Sequence, residues 1–160
     1  MSKDAVCILY GSQTGNAESI AKILHEEILC KEIVNKTTFP CTCDTLNNAC
    51  SLSFDNIKYI IVICSTTGNG DMPDNADKWW RQVKQRTTDK QTFEGIHFVV
   101  LALGDSNYSK FCYCGKTIDK RLAELSGQRI TELTCVDDAT DTDELVDAWI
   151  NKVIDNIICK

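Results

Sequence analysis

The sequence lacks any apolar run of the roughly 18–20 residues that a membrane-spanning helix needs. Its first apolar segment is short and has no small-residue cleavage site after it, so we expect no signal peptide. It also lacks a basic surplus, since 17 Lys and Arg stand against 23 Asp and Glu, for a net charge of −6. That balance disfavours nucleic acid and anionic membranes as partners and favours a basic protein surface.

Cysteine is abundant, with ten among 160 residues, but the pattern of a zinc site is missing. The pairs Cys41/Cys43 and Cys112/Cys114 have no second C-x₂-C or His pair. Other cysteines lie inside apolar runs, where Cys packs as a small hydrophobic residue. We therefore expect reduced packing thiols and a cytosolic compartment. A redox or metal role is the alternative for these thiols.

Several common active sites are also absent. Gly115-Lys116-Thr117 resembles the end of a P-loop, but the position of its first glycine holds Lys110. No Arg follows a Cys at the spacing of a cysteine phosphatase, and "TGNGDM" has too few glycines for a dinucleotide loop. The two histidines have no Ser or Cys partner signature. We therefore expect no catalytic residue and no metal site in this chain.

What the sequence does have is an alternation of apolar strands and amphipathic helices. This alternation predicts a parallel sheet with helices on both faces, in one domain over 1–160. The apolar face of the first helix is predicted to carry Ile20, Ile23, Leu24 and Ile28. Strands are predicted at 6–10, 36–43 (a weak one), 59–64, 97–103 and 129–133, and helices at 16–30, from 73–74 onward, at 115–125 and at 143–158.

Three loops should gather at the carboxyl edge of this sheet, where such folds bind ligands. They are "GSQTGN", "STTGNGD" and "GDSNYSKF", all rich in Gly, Ser, Thr and Asn. In the first loop, N–H groups at a helix start could hold a phosphate without a cation; alternatively, Ser12 or Thr14 only caps the helix. In the last loop, Tyr108 could stack on a flat heterocycle or be a half-buried ring.

Together the loops resemble the FMN-binding, flavodoxin-like module of the diflavin reductase family. The matching segments are "YGSQTGNAE", "STTGNGDMPDNA", "LALGDSNYSKF" and "GKTIDKRLAEL". The pattern is most similar to methionine synthase reductase and next to the Tah18-type NADPH-dependent reductases. The resemblance implies an α/β, doubly wound, five-stranded parallel sheet in the order 2-1-3-4-5, with helices on both faces.

The same resemblance implies where FMN would bind. The first loop would hold the phosphate, with Thr14 and backbone N–H groups as the principal donors. The second loop would follow the isoalloxazine edge, with Gly68 as the peptide that responds to flavin protonation. The third loop would cover the other face, with Tyr108 stacked on the ring and Asp138 nearby. The implied FMN-binding residues are Ser12, Gln13, Thr14, Gly15, Asn16, Ala17, Ser65, Thr66, Thr67, Gly68, Asn69, Leu103, Gly104, Asp105, Ser106, Asn107, Tyr108, Phe111, Cys112 and Asp138.

The implied activity is transfer of single electrons from an FAD- and NADPH-binding reductase domain to a metal centre in a partner protein. We expect a monomeric carrier whose acid-rich segment 136–147 docks a basic face of that metalloprotein. The alternative for this segment is a solvated helix start, where the helix dipole favours Asp143 and Glu144. Three alternatives stay open. They are a free-standing flavodoxin, a Tah18-type FMN domain that donates to an iron–sulfur assembly partner, and a non-redox binding scaffold.

Thr67 departs from the microsomal-type members of the family, which carry an aromatic residue there. Loss of one stacking partner costs about 0.5–1.5 kcal/mol, so we predict weak FMN retention. The first two loops also contain no Lys or Arg. A reduced flavin would then lie in a neutral-to-acidic field, which predicts a low potential and a good electron donor.

Overall fold

The strands form one parallel sheet in a computed structural model that describes residues 4–35, 40–138, 140 and 142–158. Apolar runs of β-branched residues form the central strands, and amphipathic segments form the helices between them. In chain order the elements are β1 (Ala5–Gly11), α1 (Asn16–Asn35), β2 (Cys41–Thr45), a 3₁₀ helix (Asn47–Ser51), β3 (Ile57–Ser65), α2 (Asp74–Val83), β4 (His97–Gly104), α3 (Tyr113–Glu124), β5 (Gln128–Arg129), β6 (Thr134–Asp137) and α4 (Asp143–Ile158).

The strand order β2-β1-β3-β4-β5 confirms the predicted topology, with β6 also paired to β4. The prediction of one strand over 129–133 is wrong in extent. Two separate strands, β5 and β6, lie on either side of residues 130–133. Phe98 is in register with Arg129, whereas Leu101 is in register with Thr134. Between these two paired positions, β4 has two residues, whereas the segment that joins β5 to β6 has four, 130–133. The four residues therefore bulge out of the ladder of hydrogen bonds.

The boundaries of other elements differ by a few residues from those predicted. Of the predicted strand 36–43, residues 36–39 lie outside the described part, and β2 extends to Thr45. Helix α3 begins two residues early, at Tyr113, while α4 has its predicted bounds. In α1, Leu24 and Ile28 are buried as predicted, but Ile23 is 46% exposed.

Apolar side chains cover both faces of the sheet. Val6 and Ile8 of β1 pack with α1 and α4, whereas Cys7 and Leu9 pack with α2 and α3. Fully burying an aliphatic side chain contributes about 1.5–3 kcal/mol, so both layers stabilise the central strands. With both faces covered, the loops after the strands are the part of the sheet left open to a ligand.

The carboxyl ends of four strands meet at one edge. Gly11 is in register with Cys64, Ser65 with Leu103, and Gly104 with Asp137. The three polar loops follow these strand ends, so the sheet brings them together as predicted.

The described helices include none that is long and apolar enough to cross a membrane. None of the nine described cysteines forms a disulfide bond, and Cys7, Cys64, Cys112 and Cys114 are buried. Cys159 lies outside the described residues.

Candidate functional site

The first loop is tied to the start of α2. Ser12 N–H donates to Asn75 Oδ1 at 2.8 Å. The Gln13 side chain donates from Nε2 to Asp74 Oδ2 at 3.3 Å and accepts from Asp74 N–H at 3.0 Å. Gly11 permits this approach, because a Cβ there would lie 2.8 Å from Ala76 Cβ. The Gln13 side chain is thus used within the protein, which leaves the backbone of the loop to face a ligand.

Backbone N–H groups are the free donors of the first loop. Gly15 N–H donates to Ser12 Oγ at 2.9 Å, but the N–H groups of Gln13, Thr14, Asn16 and Ala17 have no acceptor among the described residues. They lie at the N-terminus of α1, where the helix dipole favours negative charge. This arrangement is typical of an anion-binding site.

The alternative that Ser12 or Thr14 caps α1 does not fit this geometry. A cap accepts from the second or third N–H of the helix, whereas the Ser12 hydroxyl accepts from Gly15, before the helix begins. The Thr14 hydroxyl has no hydrogen-bond partner in the part of the chain that the structure describes. Gly15, at φ +99°, makes the turn into α1, and a Cβ there would meet nothing within 4 Å.

The second loop, after Ser65 at the end of β3, is closed by hydrogen bonds between Thr67 and Asp71. Thr67 N–H donates to Asp71 O at 3.0 Å, Asp71 N–H donates back at 2.9 Å, and Thr67 Oγ1 donates to Asp71 O at 2.8 Å. Gly68, at φ +44°, faces open space. The N–H groups of Gly68 and Asn69 have no acceptor among the described residues. Only the tip of this turn is therefore free to contact a ligand through its backbone.

Thr66 joins the second loop to the rest of the site. Its N–H donates to Leu103 O at 3.2 Å, and its Oγ1 accepts from Cys114 N–H at 3.0 Å. Cys114 Sγ in turn donates to Asp71 O at 3.1 Å. The Thr66 hydroxyl therefore caps α3 from a distant loop, which accounts for the early start of that helix. The sequence predicts Thr66 as a ligand contact, but its side chain has this structural partner.

The third loop turns around Asp105. Its Oδ1 accepts from Asn107 N–H at 2.9 Å, and its carbonyl accepts from Tyr108 N–H at 3.1 Å. Ser106 N–H donates to Asp137 Oδ1 at 3.1 Å. The Tyr108 ring is 60% exposed and makes no ring contact with the described residues. The half-buried alternative for Tyr108 is therefore wrong, and its ring is free to stack.

Cys112 ends the third loop with its thiol turned away from the loops. Its Sγ lies 3.4 Å from Ala102 O and 3.7 Å from Val136 O, under the sheet. Burial, and then the neighbouring Cys135, raise the pKa of the Cys112 thiol to about 12. Gly104 is required here, since a Cβ would lie 2.7 Å from Cys112 N. Only the backbone of Cys112 can border a ligand, and its thiol is inert at neutral pH.

A pocket of about 120 Å³ joins the second and third loops. Lys110 also lines it, and this residue is missing from the sequence-based prediction. The signal was present, since Lys110 is the one Lys or Arg in the three loops. The predicted residues that line this pocket are Thr66, Gly68, Gly104, Asp105, Tyr108 and Asp138.

A larger groove of about 610 Å³ lies between α1 and α4 and connects the site to the first loop. Asn16, Leu103 and Asp138 line it. Partial burial, followed by the charges of Asp105 and Asp137, raises the pKa of the Asp138 carboxyl. Of the other predicted residues, Ala17 is fully buried below the first loop, and Phe111 is half-buried with Lys116 Nζ 5.4 Å from its ring centre.

The chain is similar in sequence to known reductases, in agreement with the family that the loop motifs indicate. Methionine synthase reductase from Bos taurus is 36% identical over 144 residues, which cover 90% of this chain and 20% of that protein. NADPH-dependent diflavin oxidoreductase 1 from Xenopus laevis is 32% identical over 160 residues, or 99% of this chain and 26% of that protein. The chain thus spans about a quarter or less of the length of these relatives. The predicted resemblance to diflavin reductases is confirmed.

Solved structures agree on the fold. Oxidised flavodoxin 1 from Bacillus cereus superposes with a TM-score of 0.74 over 96% of this chain and 97% of that chain, at 20% identity. At this identity the likeness concerns the fold alone. The sequence model described as Flavodoxin matches residues 8–149, a span that contains all three loops at the carboxyl edge. The chain therefore belongs to the flavodoxin family.

Proposed function

We propose that this chain is the FMN-binding electron-transfer module of a diflavin reductase. The observation that carries the proposal is the first loop, where four backbone N–H groups without acceptors among the described residues lie at the start of α1. A phosphate suits this site, because its oxygens would accept from these donors and its charge would interact favourably with the helix dipole. Among proteins of this fold, the phosphate to expect is that of FMN.

The described residues fit the rest of the cofactor as well. Tyr108 presents an exposed ring for stacking. Gly68 offers an open, glycine-lined approach where no Cβ blocks contact. The bound FMN would supply the one-electron and two-electron chemistry, and the protein would supply binding, orientation and electrostatics. Thr67 provides no second ring, so weak FMN retention stays a prediction.

The electron donor we propose is an FAD- and NADPH-binding reductase domain, and the acceptor is a metal centre in a partner protein. The relatives named for such chemistry are about four to five times longer than this chain, which leaves room in them for a reductase domain. A cobalamin, haem or iron–sulfur acceptor fits equally well. Methionine synthase reductase is our first model because of its 36% identity.

Acidic residues near the site suit a basic docking face on that acceptor. Asp138, Asp143 and Asp147 line the groove between α1 and α4, and no Lys or Arg lines it among the described residues. Opposite charge at this edge would speed the encounter and orient the partner. We further propose that residues 1–160 act as one monomeric domain in a reducing compartment such as the cytosol, where its many thiols stay reduced.

The decisive experiment is a visible absorption spectrum of the purified chain before and after incubation with FMN and desalting. We expect substoichiometric flavin on purification and about one FMN per chain after loading. Riboflavin, which has no phosphate, should bind more weakly because it leaves the first loop empty. If no flavin binds even at high micromolar FMN, the electron-transfer proposal fails and a non-redox binding scaffold becomes the better account.

A further inference from the structure

Lys110 is the one cation among the residues that line the pocket between the second and third loops. Two carboxylates, Asp105 and Asp138, line the same pocket. Lys110 forms no ion pair within 4.0 Å in the part of the chain described by the structure. Its charge is therefore not neutralised by direct contact with a carboxylate, and it acts on whatever occupies the pocket.

The Lys110 side chain is held in place by its neighbours. Its stem crosses Gly70 so closely that a Cβ on Gly70 would lie 2.6 Å from Lys110 Cδ and 3.3 Å from Lys110 Cβ. Its Nζ lies 4.8 Å from the centre of the Tyr113 ring, within the range of a cation–π contact. Gly70 and Tyr113 thus restrict a side chain that would otherwise move freely in solvent. This restriction limits how far the Lys110 side chain can move away from the pocket that it lines.

Both negative and positive side chains contribute to the electrostatic field in this pocket. Asp105, Asp137 and Asp138 lie close enough together that the pKa of Asp138 is raised, after burial, by the other two carboxyls. These acids disfavour additional negative charge in the pocket. Lys110 opposes them from the same lining. The first two loops alone predict a neutral-to-acidic field, and the third loop adds this opposing cation.

We propose that Lys110 raises the reduction potential of the flavin by stabilising the negative charge of the fully reduced ring. This inference rests on the proposed function. Two electrons from the reductase domain and one proton from water add one negative charge to the ring, and Lys110 lowers the free energy of that charged form. Oxidised flavin carries no such charge, so Lys110 favours the reduced cofactor over the oxidised one. Lys110 is thus a positioning and tuning residue rather than a catalytic one.

The test compares Lys110→Gln with Lys110→Arg and with Lys84→Gln. The last removes the same charge from an exposed position at the end of α2, so it controls for net charge. Each variant is loaded with FMN, and its affinity for oxidised FMN and its potential for the second electron are measured at low and high salt. Lys110 is exposed, so the Gln variant should fold, and circular dichroism verifies this.

We expect Lys110→Gln to weaken binding of the fully reduced flavin relative to the one-electron-reduced form by about tenfold, which lowers the potential for the second electron by about 59 mV. Affinity for oxidised FMN should change less than about threefold. Lys110→Arg should retain most of the wild-type potential, and Lys84→Gln all of it. The effect of Lys110→Gln should shrink at high salt, because ions screen an exposed charge.

Two results would overturn the inference while the proposed function stands. One is a Lys110→Gln protein that binds FMN with an unchanged potential. The other is a Lys84→Gln protein whose potential falls as much, which would assign the effect to net charge. A wild-type chain that binds no FMN would remove the proposed function and this inference together.

Discussion

The first and second loops are similar in sequence but opposite in hydrogen bonding. Both are rich in Gly, Ser, Thr and Asn and contain no Lys or Arg. In the first, four N–H groups have no acceptor among the described residues. In the second, Thr67 and Asp71 exchange two backbone hydrogen bonds, and the Thr67 hydroxyl adds a third. The first loop therefore has backbone donors left for a ligand, whereas the second uses most of its hydrogen bonds to close its own turn.

Because of this difference, we expect the first loop to contribute to ligand binding and the second to the stability of the fold. Removing a donor or adding a charge in the first loop should affect phosphate binding and leave the folded protein intact, since little in the chain depends on those donors. A change in the second loop should affect folding first, because its contacts reach α3 through Thr66 and Cys114. The variants below test this separation in order of decreasing effect.

Thr14→Asp should have the largest effect. It places a carboxylate among the free N–H groups of the first loop, where it competes with the phosphate and repels it. Hydrogen bonds to charged groups contribute about 1.5–3 kcal/mol, so we expect FMN affinity to fall by about 10–150-fold. Riboflavin affinity should change little, because riboflavin has no phosphate. Titration of flavin fluorescence with both ligands measures the two effects.

Thr87→Asp is the matched control, because it makes the same substitution in an exposed loop after α2. It should bind FMN as the wild type does. The free energy of unfolding of Thr14→Asp, without flavin, should stay within about 0.5 kcal/mol of wild type. An equal loss of FMN and riboflavin affinity would mean that the substitution distorts the loop, and it would count against a phosphate site there.

Gly15→Ala and Gly70→Ala compare the two loops at the same backbone angle. Gly15 has φ +99° and Gly70 has φ +98°, so the left-handed strain of about 1–2 kcal/mol is shared. The surroundings differ, since a Cβ on Gly15 meets nothing within 4 Å, while one on Gly70 meets Lys110 and Tyr113. Gly70→Ala should therefore lower the free energy of unfolding more, as measured by urea titration.

Gly70→Ala should also displace Lys110 from the pocket. Its flavin potential should then fall in the same direction as that of Lys110→Gln, whereas the potential of Gly15→Ala should not change. Equal stability losses for the two alanine variants, with equal potentials, would show that the contact with Lys110 has no consequence.

The resemblance of the loop motifs to diflavin reductases predicts the sheet order, and the apolar runs with their polar ends predict the position of all three loops. The sequence does not distinguish the roles of Thr14 and Thr66. Both are hydroxyl residues in Gly-rich loops, yet the Thr14 hydroxyl is free in the described chain and the Thr66 hydroxyl caps α3. That contact joins residues 48 positions apart, and no local pattern reports it.

Two further differences have the same origin in tertiary contacts. The bulge at 130–133 arises from a mismatch in register with β4, which neither segment shows alone. Lys110 is placed beside the pocket by Gly70, 40 positions earlier in the chain, and by Tyr113. The neutral-to-acidic field predicted from the first two loops leaves out the cation that the third loop contributes at the same edge, although the sequence shows both.

Tyr108→Ala tests a contact with the flavin ring, which does not involve the phosphate bound by the first loop. The exposed ring should stack on the flavin, and its loss should cost about 0.5–1.5 kcal/mol, or about 2–12-fold in affinity. FMN and riboflavin should lose equal factors, in contrast to Thr14→Asp. Tyr113→Ala, which removes another exposed ring nearby, is a useful control and should weaken flavin binding less. Unchanged affinity in Tyr108→Ala would exclude stacking on this ring.

Asp138→Asn should have the smallest effect, and the quantity it should change is the free energy of unfolding. Burial and the nearby Asp105 and Asp137 raise the pKa of Asp138 above its ordinary 3.8. The folded chain therefore binds this proton more tightly than the unfolded chain. The stability that Asp138 contributes is present below pH 3.8 and is lost as pH rises through the raised pKa. At pH 7 the ionised carboxyl destabilises the fold, and Asn should relieve this.

The gain should be a fraction of a kcal/mol, because water screens an exposed carboxylate. Urea unfolding of the flavin-free protein at pH 3.5, 5.5 and 7 should show Asp138→Asn overtaking wild type as pH rises. Asp4→Asn, an exposed carboxyl outside the acid cluster, is the control. An Asp138→Asn protein less stable than wild type at pH 7 would mean that the carboxylate has a stabilising partner. In that case its position beside Lys110 would matter more to the fold than its repulsion from Asp105 and Asp137.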